Sequence, residues 1–321
     1  MDIYLYIKIC YDNGDKMAGG KMIDNRINTF LKVCETMNYT AAAKALNLTQ
    51  PAVSQHIRYL ESHYGAPLFA YDKKQLSLTP QGEILLRAAE TLSGDETRLK
   101  EKIQLAGCDR AQEVIYKAGA TMTVGEYALV RPLASLLDDE PEIRIDLTVA
   151  NTDVLLEKLR AGEIDFAVIE GYFHKDIFGY EVFSTEKYIP VCAAGHRFTS
   201  APGSLKELTG LRLIMREKGS GTRDIMEKNL QAHGLDIRDF SRCMEVSSLS
   251  AIIGLVKEDC GITFLYEAAA HEGIMAGQLK EIRLDNFAVE HDFTFVWNKG
   301  SLYENEYRSL CRKLKRRKGS A

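Results

Sequence analysis

The hydrophobic pattern near the start of the chain is that of amphipathic helices. One apolar stripe, spaced i, i+3, i+4 and i+7, consists of Ile27, Phe30, Leu31 and Cys34. A second, short helix of small residues is predicted over residues 41–46, with Thr40 as its N-cap. Residues 47–49 predict the turn that leads to the next helix. The pattern therefore predicts a compact helical unit.

A third helix is predicted over residues 50–64. Pro51 falls in its first turn, where the missing N–H costs nothing, and Gly65 ends it. On a helical wheel one face carries the apolar residues Val53, Ile57 and Leu60. The opposite face carries Pro51, Gln55, Arg58 and Ser62. Such a face suits the major groove of DNA, but a polar outer face is equally typical of any surface helix.

The next segment predicts a β-hairpin and a long helix. Two short β-rich runs between residues 68 and 79 flank a polar tip. Thr79-Pro80 then signals a helix start, and the helix extends to about residue 105. Its heptad-spaced seam consists of Leu85, Leu92, Leu99 and Ala106. The seam suits packing on another chain, whereas polar Asp95 and Lys102 argue against a long coiled coil.

From residue 113 the pattern changes to short β-rich runs that alternate with helices. The first set has predicted helices near residues 125–138 and 152–161, which indicates a parallel sheet. A second set starts near residue 189 and has predicted helices over 221–233 and 249–258. The chain closes with a strand over residues 291–298 and a helix over 304–317. We therefore expect two α/β lobes with a cleft between them.

Composition and charge narrow the class of protein. The 321 residues are 45% hydrophobic and 27% charged, which is ordinary for a globular protein of two or three domains. No uncharged apolar run approaches the ~18 residues of a membrane span. The net charge of −4 means that any contact with nucleic acid must come from a local basic surface. Residues 22–80 carry six Lys and Arg against four Asp and Glu.

The chemistry-bearing residues do not form a recognisable enzyme motif. The seven cysteines include no C-x-x-C pair, so we expect neither a disulfide framework nor a zinc site, and a reducing cytoplasm is the simplest setting. We find no G-x-S-x-G elbow and no paired histidines at zincin spacing. Catalytic residues, a metal and a cofactor are therefore not predicted.

The order of motifs in the first 82 residues resembles the winged helix-turn-helix of LysR-type transcriptional regulators. The matching segments are Thr40-Ala41-Ala42-Ala43, Leu48-Thr49-Gln50-Pro51-Ala52-Val53-Ser54, Leu60-Glu61, Gly65, Leu68-Phe69 and Leu78-Thr79-Pro80-Gln81-Gly82. The resemblance continues from Met22 through nearly the whole chain. Weaker motifs follow in the right order at residues 162–168 and 219–223.

The resemblance implies a fold and a domain order. The fold class is α/β with an N-terminal all-α winged helix-turn-helix, a long linker helix and two Rossmann-like lobes similar to periplasmic binding proteins. We expect an extension at 1–21, a DNA-binding domain at 22–80 and a linker or dimerisation helix at 81–108. Effector lobe I comprises 113–187 with 288–321, and lobe II comprises 188–287.

The resemblance also implies which residues contact DNA. Side chains facing the duplex would be Gln50, Pro51, Ser54, Gln55 and Arg58, with Thr40 and Thr49 at helix starts beside phosphates. Lys73 and Lys74 would form the tip of the wing. Where the family usually has an arginine two residues after Leu-Phe, this chain has Tyr71. That departure puts a minor-groove arginine contact in doubt.

Small hydroxyl residues follow strands at three predicted helix starts, residues 121–123, 220–222 and 247–248. Free N–H groups and helix dipoles at the carboxyl edge of a sheet predict an anion pocket, to which Arg216 and Arg223 would add charge. With Thr152, which the resemblance adds, the predicted effector site is Thr121, Met122, Thr123, Thr152, Ser220, Gly221, Thr222, Ser247 and Ser248.

The charge of the effector stays open at this point. An anionic metabolite or an inorganic oxyanion fits the helix starts. However, three carboxylates lie near these helix starts in the sequence, those of Glu170, Glu217 and Glu245. If they point into the site, they would repel an anion or accept an ammonium group. An amino acid, which needs both charges, is the third alternative.

These observations predict a cytoplasmic regulator of transcription that binds double-stranded DNA and is switched by a small molecule. By resemblance it is a homodimer or homotetramer, with RNA polymerase as a further partner and no membrane contact. Two other classes remain as alternatives. One is an enzyme that uses the α/β cleft, and the other is a small-molecule-binding protein whose helical domain only dimerises.

Overall fold

The structure is a computed structural model that describes residues 23–72, 75–106 and 113–318. The chain divides into two compact units. The first ends at Ala89 and the second begins at Glu90. The proposed extension at 1–21 lies outside the described residues and stays a prediction. None of the helices in the described segments combines the length and hydropathy that a membrane span needs.

The first unit is a small helical bundle with a hairpin. Its elements are α1 (Asn25–Thr36), α2 (Tyr39–Ala45), α3 (Gln50–Tyr64), β1 (Phe69–Asp72), β2 (Gln75–Leu78) and the start of α4 (Pro80–Ala106). β1 and β2 pair antiparallel. The core, which consists of the buried apolar faces of these elements, includes Phe30, Val33, Ala42, Val53, Ile57, Leu60 and Leu68. The bundle, the hairpin and the bounds of α3 confirm the predictions from the apolar pattern.

The predicted N-cap of α2 was wrong. Asn38 caps this helix, because its carboxamide oxygen accepts hydrogen bonds from the N–H groups of Thr40 (2.9 Å) and Ala41 (3.0 Å). Asn38 has the extended backbone of a cap, so Thr40 lies inside the first turn. Thr49 caps α3 and accepts from the N–H of Ala52 at 3.3 Å.

The second unit is α/β. Its strands are β3 (Val114–Ala120), β4 (Ile143–Val149), β5 (Phe166–Ile169), β6 (Phe178–Ala193), β7 (Arg212–Met215), β8 (Arg242–Glu245), β9 (Thr263–Tyr266), β10 (Leu279–Glu281) and β11 (Val289–Asn298). Its α-helices after α4 are α5 (Val130–Asp139), α6 (Thr152–Arg160), α7 (Gly221–Ala232), α8 (Leu249–Lys257), α9 (Glu267–Met275) and α10 (Glu304–Lys318). A π-helical turn, Val124–Ala128, precedes α5.

The main sheet has the order β10–β6–β11–β5–β3–β4, and β9 also pairs with β6. The pairs β3–β4 and β3–β5 are parallel, as the alternating pattern predicts, whereas β11 is antiparallel to both β5 and β6. In the second lobe, β7 and β8 form a parallel pair. The carboxyl ends of β3 and β5 therefore meet at the same edge.

Strand β6 contradicts one prediction from the sequence. A new set of elements was expected to start near residue 189, but residues 178–193 form one strand. Its first part pairs with β11 and its last part with β9 and β10. Only Phe183 is buried between Tyr180 and Lys187, whereas every residue from Tyr188 to Ala193 is buried, because the strand is covered on both faces there. That change of pattern resembled a strand start.

The part of α4 after Glu90 packs on lobe I. Asp95 accepts hydrogen bonds from the Ser301 hydroxyl (2.6 Å) and the Leu302 N–H (2.8 Å). Arg98 is 4% exposed and pairs with Asp165 at 2.6 Å. Lys102 pairs with Glu306 at 2.8 Å, so Asp95 and Lys102, the polar residues that argue against a long coiled coil, both bind this helix to its own unit.

Candidate DNA-binding and effector sites

The outer face of α3 is polar and exposed. Val53, Ile57 and Leu60 are buried, whereas Pro51, Gln55, Arg58 and Ser62 are exposed on the other side. Gln50 Nε2 donates to Ser54 Oγ at 3.0 Å, and Arg58 Nε donates to the Ser54 carbonyl at 3.4 Å. These bonds hold the amide of Gln50 and the guanidinium of Arg58 against the exposed surface of the helix. From there both groups can reach base edges or phosphates.

Contacts from α1 fix the rotation of α3. Thr29 Oγ1 and His56 Nδ1 lie 2.8 Å apart, and the guanidinium of Arg26 lies 3.8 Å above the ring of Tyr59. Burial and the nearby Arg26 lower the pKa of His56, which keeps this imidazole neutral at pH 7. The sequence pattern did not identify these positioning residues, because an isolated His or Tyr on a helix has no spacing signal.

The remaining predicted DNA contacts have different surroundings. Thr40 and Thr49 are exposed at the starts of α2 and α3. Tyr71 is 69% exposed beside the hairpin tip. Lys73 and Lys74 lie outside the described residues, so their role in the wing stays a prediction.

Glu170 lies at the centre of the predicted effector site. It directly follows β5 and is 1% exposed. Thr222 Oγ1 donates to its Oε1 at 2.5 Å, and Thr123 Oγ1 donates to the same atom at 3.4 Å. Burial raises the pKa of Glu170 to about 7, although both hydroxyls oppose the shift. This carboxyl therefore lies between Thr123 and Thr222, two of the predicted effector residues.

The main chain of Glu170 holds two more predicted hydroxyls. Thr152 Oγ1 donates to its carbonyl at 2.8 Å, and its N–H donates to Thr121 Oγ1 at 3.3 Å. Thr121, Thr123 and Thr152 come from lobe I, and Thr222 comes from lobe II. The structure thus brings four of the predicted site residues together around one glutamate.

The two lobes meet in backbone contact at this point. A Cβ on Gly221 would lie 2.2 Å from the Glu170 carbonyl oxygen, and a Cβ on Gly171 would lie 2.7 Å from Cα of Gly221. A neighbouring cavity of about 10 Å³, lined by Arg216 and Thr222 among others, has room for about one water. Gly171, Gly221 and the main chain of Glu170 are thus in close contact, and in the described part of the chain no larger space lies beside them than this cavity.

The predicted positive charges of the site are already paired. Arg216 Nε and Nη2 donate to the Glu217 carboxylate at 2.8 and 2.9 Å. Burial would raise the pKa of Glu217, but these bonds hold it below its ordinary value. Arg223 contacts the carboxylates of Glu227 at 2.6 Å and Glu245 at 2.5 Å. Both arginines are therefore ion-paired, although Nη1 of Arg216 has no hydrogen-bond partner among the described residues.

The other predicted effector residues have separate environments. Met122 packs in an apolar cluster with Ile189, Leu249 and Leu265. Ser248 caps α8 by accepting from the Ala251 N–H at 3.3 Å. Ser220 is buried at the N-cap position of α7, whereas Ser247 is exposed. Among the described residues, no hydrogen bond joins Ser247 or Ser248 to Glu170.

Two family models match the chain over both units. The model for the bacterial regulatory helix-turn-helix protein, lysR family, matches residues 25–83, and that for the LysR substrate binding domain matches residues 116–318. The chain belongs to the LysR family. It is a DNA-binding transcriptional regulator with an effector-binding domain, which confirms the family, fold class and function that the sequence predicted.

Relatives and solved structures agree with the LysR assignment. The HTH-type transcriptional regulator CysL of Bacillus subtilis is 27% identical over 271 residues, which cover 84% of this chain and 89% of CysL. LysG of Corynebacterium glutamicum with bound effector Arg has a TM-score of 0.59 at 15% identity, covering 93% of this chain and 99% of LysG. The CcmR regulatory domain of Synechocystis with 2-PG has a TM-score of 0.56 at 20% identity, covering 63% and 96%.

In this LysR-type regulator, Glu170 is the residue that the sequence analysis left undecided, because it did not show whether the carboxylate points into the predicted effector site. Glu170 follows a fully buried apolar strand, which places it at the sheet edge, but the direction of its side chain is not a sequence property. The contact between Gly171 and Gly221 was also missed. Gly171 has φ +98°, a conformation that favours glycine, yet a single glycine after a strand is a weak signal.

Proposed function

We propose that this LysR-type regulator binds its operator through α3 and is switched by a small molecule held between lobes I and II. The observation that carries the DNA-binding part is the exposed polar face of α3, which lies opposite its buried apolar face. The proposed duplex contacts are Thr40, Thr49, Gln50, Pro51, Ser54, Gln55 and Arg58, with Lys73 and Lys74 in the wing. If α3 were an ordinary surface helix, the match of residues 25–83 to a helix-turn-helix family model would have no explanation.

The convergence of hydroxyls on Glu170 supports the cleft as the effector site. Three threonines of lobe I and Thr222 of lobe II bond to one residue. A ligand that replaces these bonds would change how the lobes meet. LysG and CcmR, which share the fold, carry different ligands, Arg and 2-PG, so the fold alone does not determine the ligand.

Further parts of the proposal concern assembly. We place a DNA-binding domain at 22–80, a linker helix at 81–108, lobe I at 113–187 with 288–321 and lobe II at 188–287. A homodimer or homotetramer would present two copies of α3 to a pseudo-palindromic operator. RNA polymerase is the proposed further partner and the cytoplasm the proposed location. We propose no catalysis in the cleft, since the relatives are named transcriptional regulators.

A gel-shift titration tests the DNA-binding proposal. The full chain is titrated against the region upstream of its own gene and against a shuffled fragment of equal length, at fixed salt. We expect the upstream region to bind tighter by about a thousandfold or more. Arg58→Ala should lose much of this preference, because a guanidinium contact to a base is worth about 1–3 kcal/mol. Arg144→Ala, an exposed arginine of lobe I, should retain it.

Equal binding to both fragments would remove the regulator proposal for this operator. If the wild type and Arg58→Ala prefer the upstream fragment over the shuffled one equally, the α3 face is not the surface that reads the bases, although the protein still binds DNA.

A further inference from the structure

Three buried polar atoms in or beside the effector cleft have no hydrogen-bond partner among the residues that the structure describes. They are Oε2 of Glu170, Nη1 of Arg216 and the hydroxyl of Tyr266, a side chain whose pKa Glu170 helps to raise. Glu170 and Arg216 are nearly fully buried, at 1% and 2% exposure. The first is an acceptor and the second a donor, and leaving such groups unsatisfied costs free energy. Atoms of this kind need a partner that the described side chains do not supply, and a bound ligand can be that partner.

The two side chains belong to one neighbourhood. Thr222 donates to Glu170, and Thr222 and Arg216 line the same small cavity. The charge of Arg216 also acts on Glu170. Nevertheless, Arg216 bonds through Nε and Nη2 to Glu217, and its Nη1 remains unused among the described residues. An acceptor that follows β5 and a donor that follows β7 thus lie in one neighbourhood around Thr222.

A simple anion is poorly suited to this site. Glu170 already bonds to Thr222 in the first turn of α7, where the helix dipole favours negative charge. A second anion would have to displace this carboxylate or lie beside it, and like charges in a buried site repel. The protein thus supplies its own anion at the place where the sequence predicted a bound one.

We propose that the effector is a small zwitterion of the amino-acid class, with its ammonium group on Glu170 and its carboxylate on Nη1 of Arg216. This inference rests on the proposed function, because it assumes that the cleft is the effector site. The ammonium satisfies Oε2 and the carboxylate satisfies Nη1, so each of these two atoms gains a charge-assisted bond. The lobes must part to admit it, because the present cavity has room for about one water.

The pH dependence of binding follows from the same geometry. The charges of Arg216 and Glu217 act on Glu170. The phenols of Tyr188 and Tyr266 also lie nearby, and burial raises their pKa values, with a smaller contribution from the charge of Glu170. These phenols stay neutral near pH 7. Because burial raises the pKa of Glu170 to about 7, an ammonium group must compete with a proton. Affinity should therefore rise by up to about tenfold between pH 6 and pH 8.

The test uses the full chain and matched probes. Melting temperature and calorimetric affinity are measured with each of the proteinogenic L-amino acids. For every binder, the 2-hydroxy acid without its amine and the amine without its carboxylate are then tested, together with inorganic phosphate and sulfate. We expect at least one amino acid to raise the melting temperature, and both truncated analogues to bind about tenfold more weakly or worse.

Variants separate charge recognition from packing. Glu170→Gln keeps the shape and should weaken the amino acid by about tenfold or more and remove the rise of affinity with pH. Glu163→Gln, which removes an exposed carboxylate of the same lobe, should leave both unchanged. If Glu170→Gln does not fold, the analogue series and the pH dependence of the wild-type chain still decide the question.

Two results overturn the inference. If phosphate, sulfate or the 2-hydroxy acids bind and the amino acids do not, the ligand is an anion, while the cleft remains the effector site. If none of these probes binds, the zwitterion assignment is wrong. Retained preference for the upstream DNA fragment in the gel-shift titration would then show that the regulator proposal stands independently.

Discussion

At the residue scale, Glu170 makes the second unit sensitive to pH. Its pKa of about 7 lies above the ordinary value of 4.5, so the folded state holds the proton more tightly than the unfolded state does. The stability that this proton contributes is complete below about pH 4.5 and is lost as the pH rises through 7. Each unit of pKa corresponds to about 1.4 kcal/mol, so the loss amounts to roughly 3 kcal/mol.

We therefore expect the free energy of unfolding of the second unit to fall between pH 5 and pH 8. Glu170→Gln cannot ionise and should show a smaller fall, measured by chemical denaturation at both pH values. Glu163→Gln serves as the control and should follow the wild type, because its carboxylate is exposed. A Glu170→Gln variant with the wild-type pH dependence would mean that another group carries it.

Gly221 is the second residue whose identity the structure explains. Its missing Cβ is what allows the carbonyl of Glu170 to approach the start of α7. Gly221→Ala should lower stability by about 1–3 kcal/mol, since backbone atoms must move to admit the methyl group. Gly254→Ala, in the middle of α8 with no atom within 4 Å of its Cβ, should instead stabilise by about 1 kcal/mol. Thermal unfolding of the two variants measures the contrast, and equal shifts would contradict the close approach.

At the scale of elements, the second half of α4 is bound to lobe I by a buried arginine. Arg98 pairs with Asp165 at 2.6 Å and with Glu306 at 2.5 Å, and its guanidinium lies 4.9 Å from the rings of Tyr116 and Tyr303. Burial alone would lower the pKa of Arg98, but these acids raise it, so the residue stays charged. A buried ion pair of this kind costs little when complete and much when broken.

Arg98→Ala should accordingly destabilise the second unit by about 3–5 kcal/mol, because two partly buried carboxylates lose their cation. Arg144→Ala breaks an exposed pair with Asp146 and should change stability by less than about 1 kcal/mol. Urea denaturation of both variants compares them directly. A small effect of Arg98→Ala would show that α4 after Glu90 is held by other contacts.

These elements also show what the sequence could predict. α3 was predictable because a cap, a proline, a terminal glycine and an apolar face all agree on its bounds. The break near residue 189 was predicted wrongly, since the last part of β6 pairs with β9 and β10 and packs against Leu249 and Ala269 of α8 and α9, all of which lie far along the chain. Local pattern determines which face is buried, whereas distant partners determine where a strand continues.

The candidate sites divide in the same way. Thr121, Thr123 and Thr222 were predicted because strand ends and helix starts place them at a sheet edge, whereas Thr152 was implied only by the family resemblance. The charge of the cleft was not predictable, because it depends on which way Glu170 points and on Glu217 pairing with Arg216. The bond of Glu170 to Thr222 joins separate elements, and the pairing of the neighbours Arg216 and Glu217 depends on side-chain direction, so neither has a signature in the sequence pattern.

At the scale of the whole molecule, DNA binding must overcome an unfavourable net charge of −4. Affinity then depends on a few cations near the duplex, and these are of two kinds. Arg58 lies on the exposed face of α3 and is expected to contact bases, whereas Lys74 belongs to the predicted wing and is expected to contact phosphates. The two contacts differ in their response to salt.

Lys74→Ala should weaken binding to operator and shuffled DNA alike, and should lower the slope of log affinity against log salt by about one. Arg58→Ala should instead reduce the preference for the operator by about 1–3 kcal/mol at every salt concentration. Fluorescence anisotropy over a series of salt concentrations measures both quantities in one titration. If Lys74→Ala changes the preference and leaves the slope unchanged, then the wing reads bases in this protein, and the exposed Tyr71 beside it becomes the residue to test next.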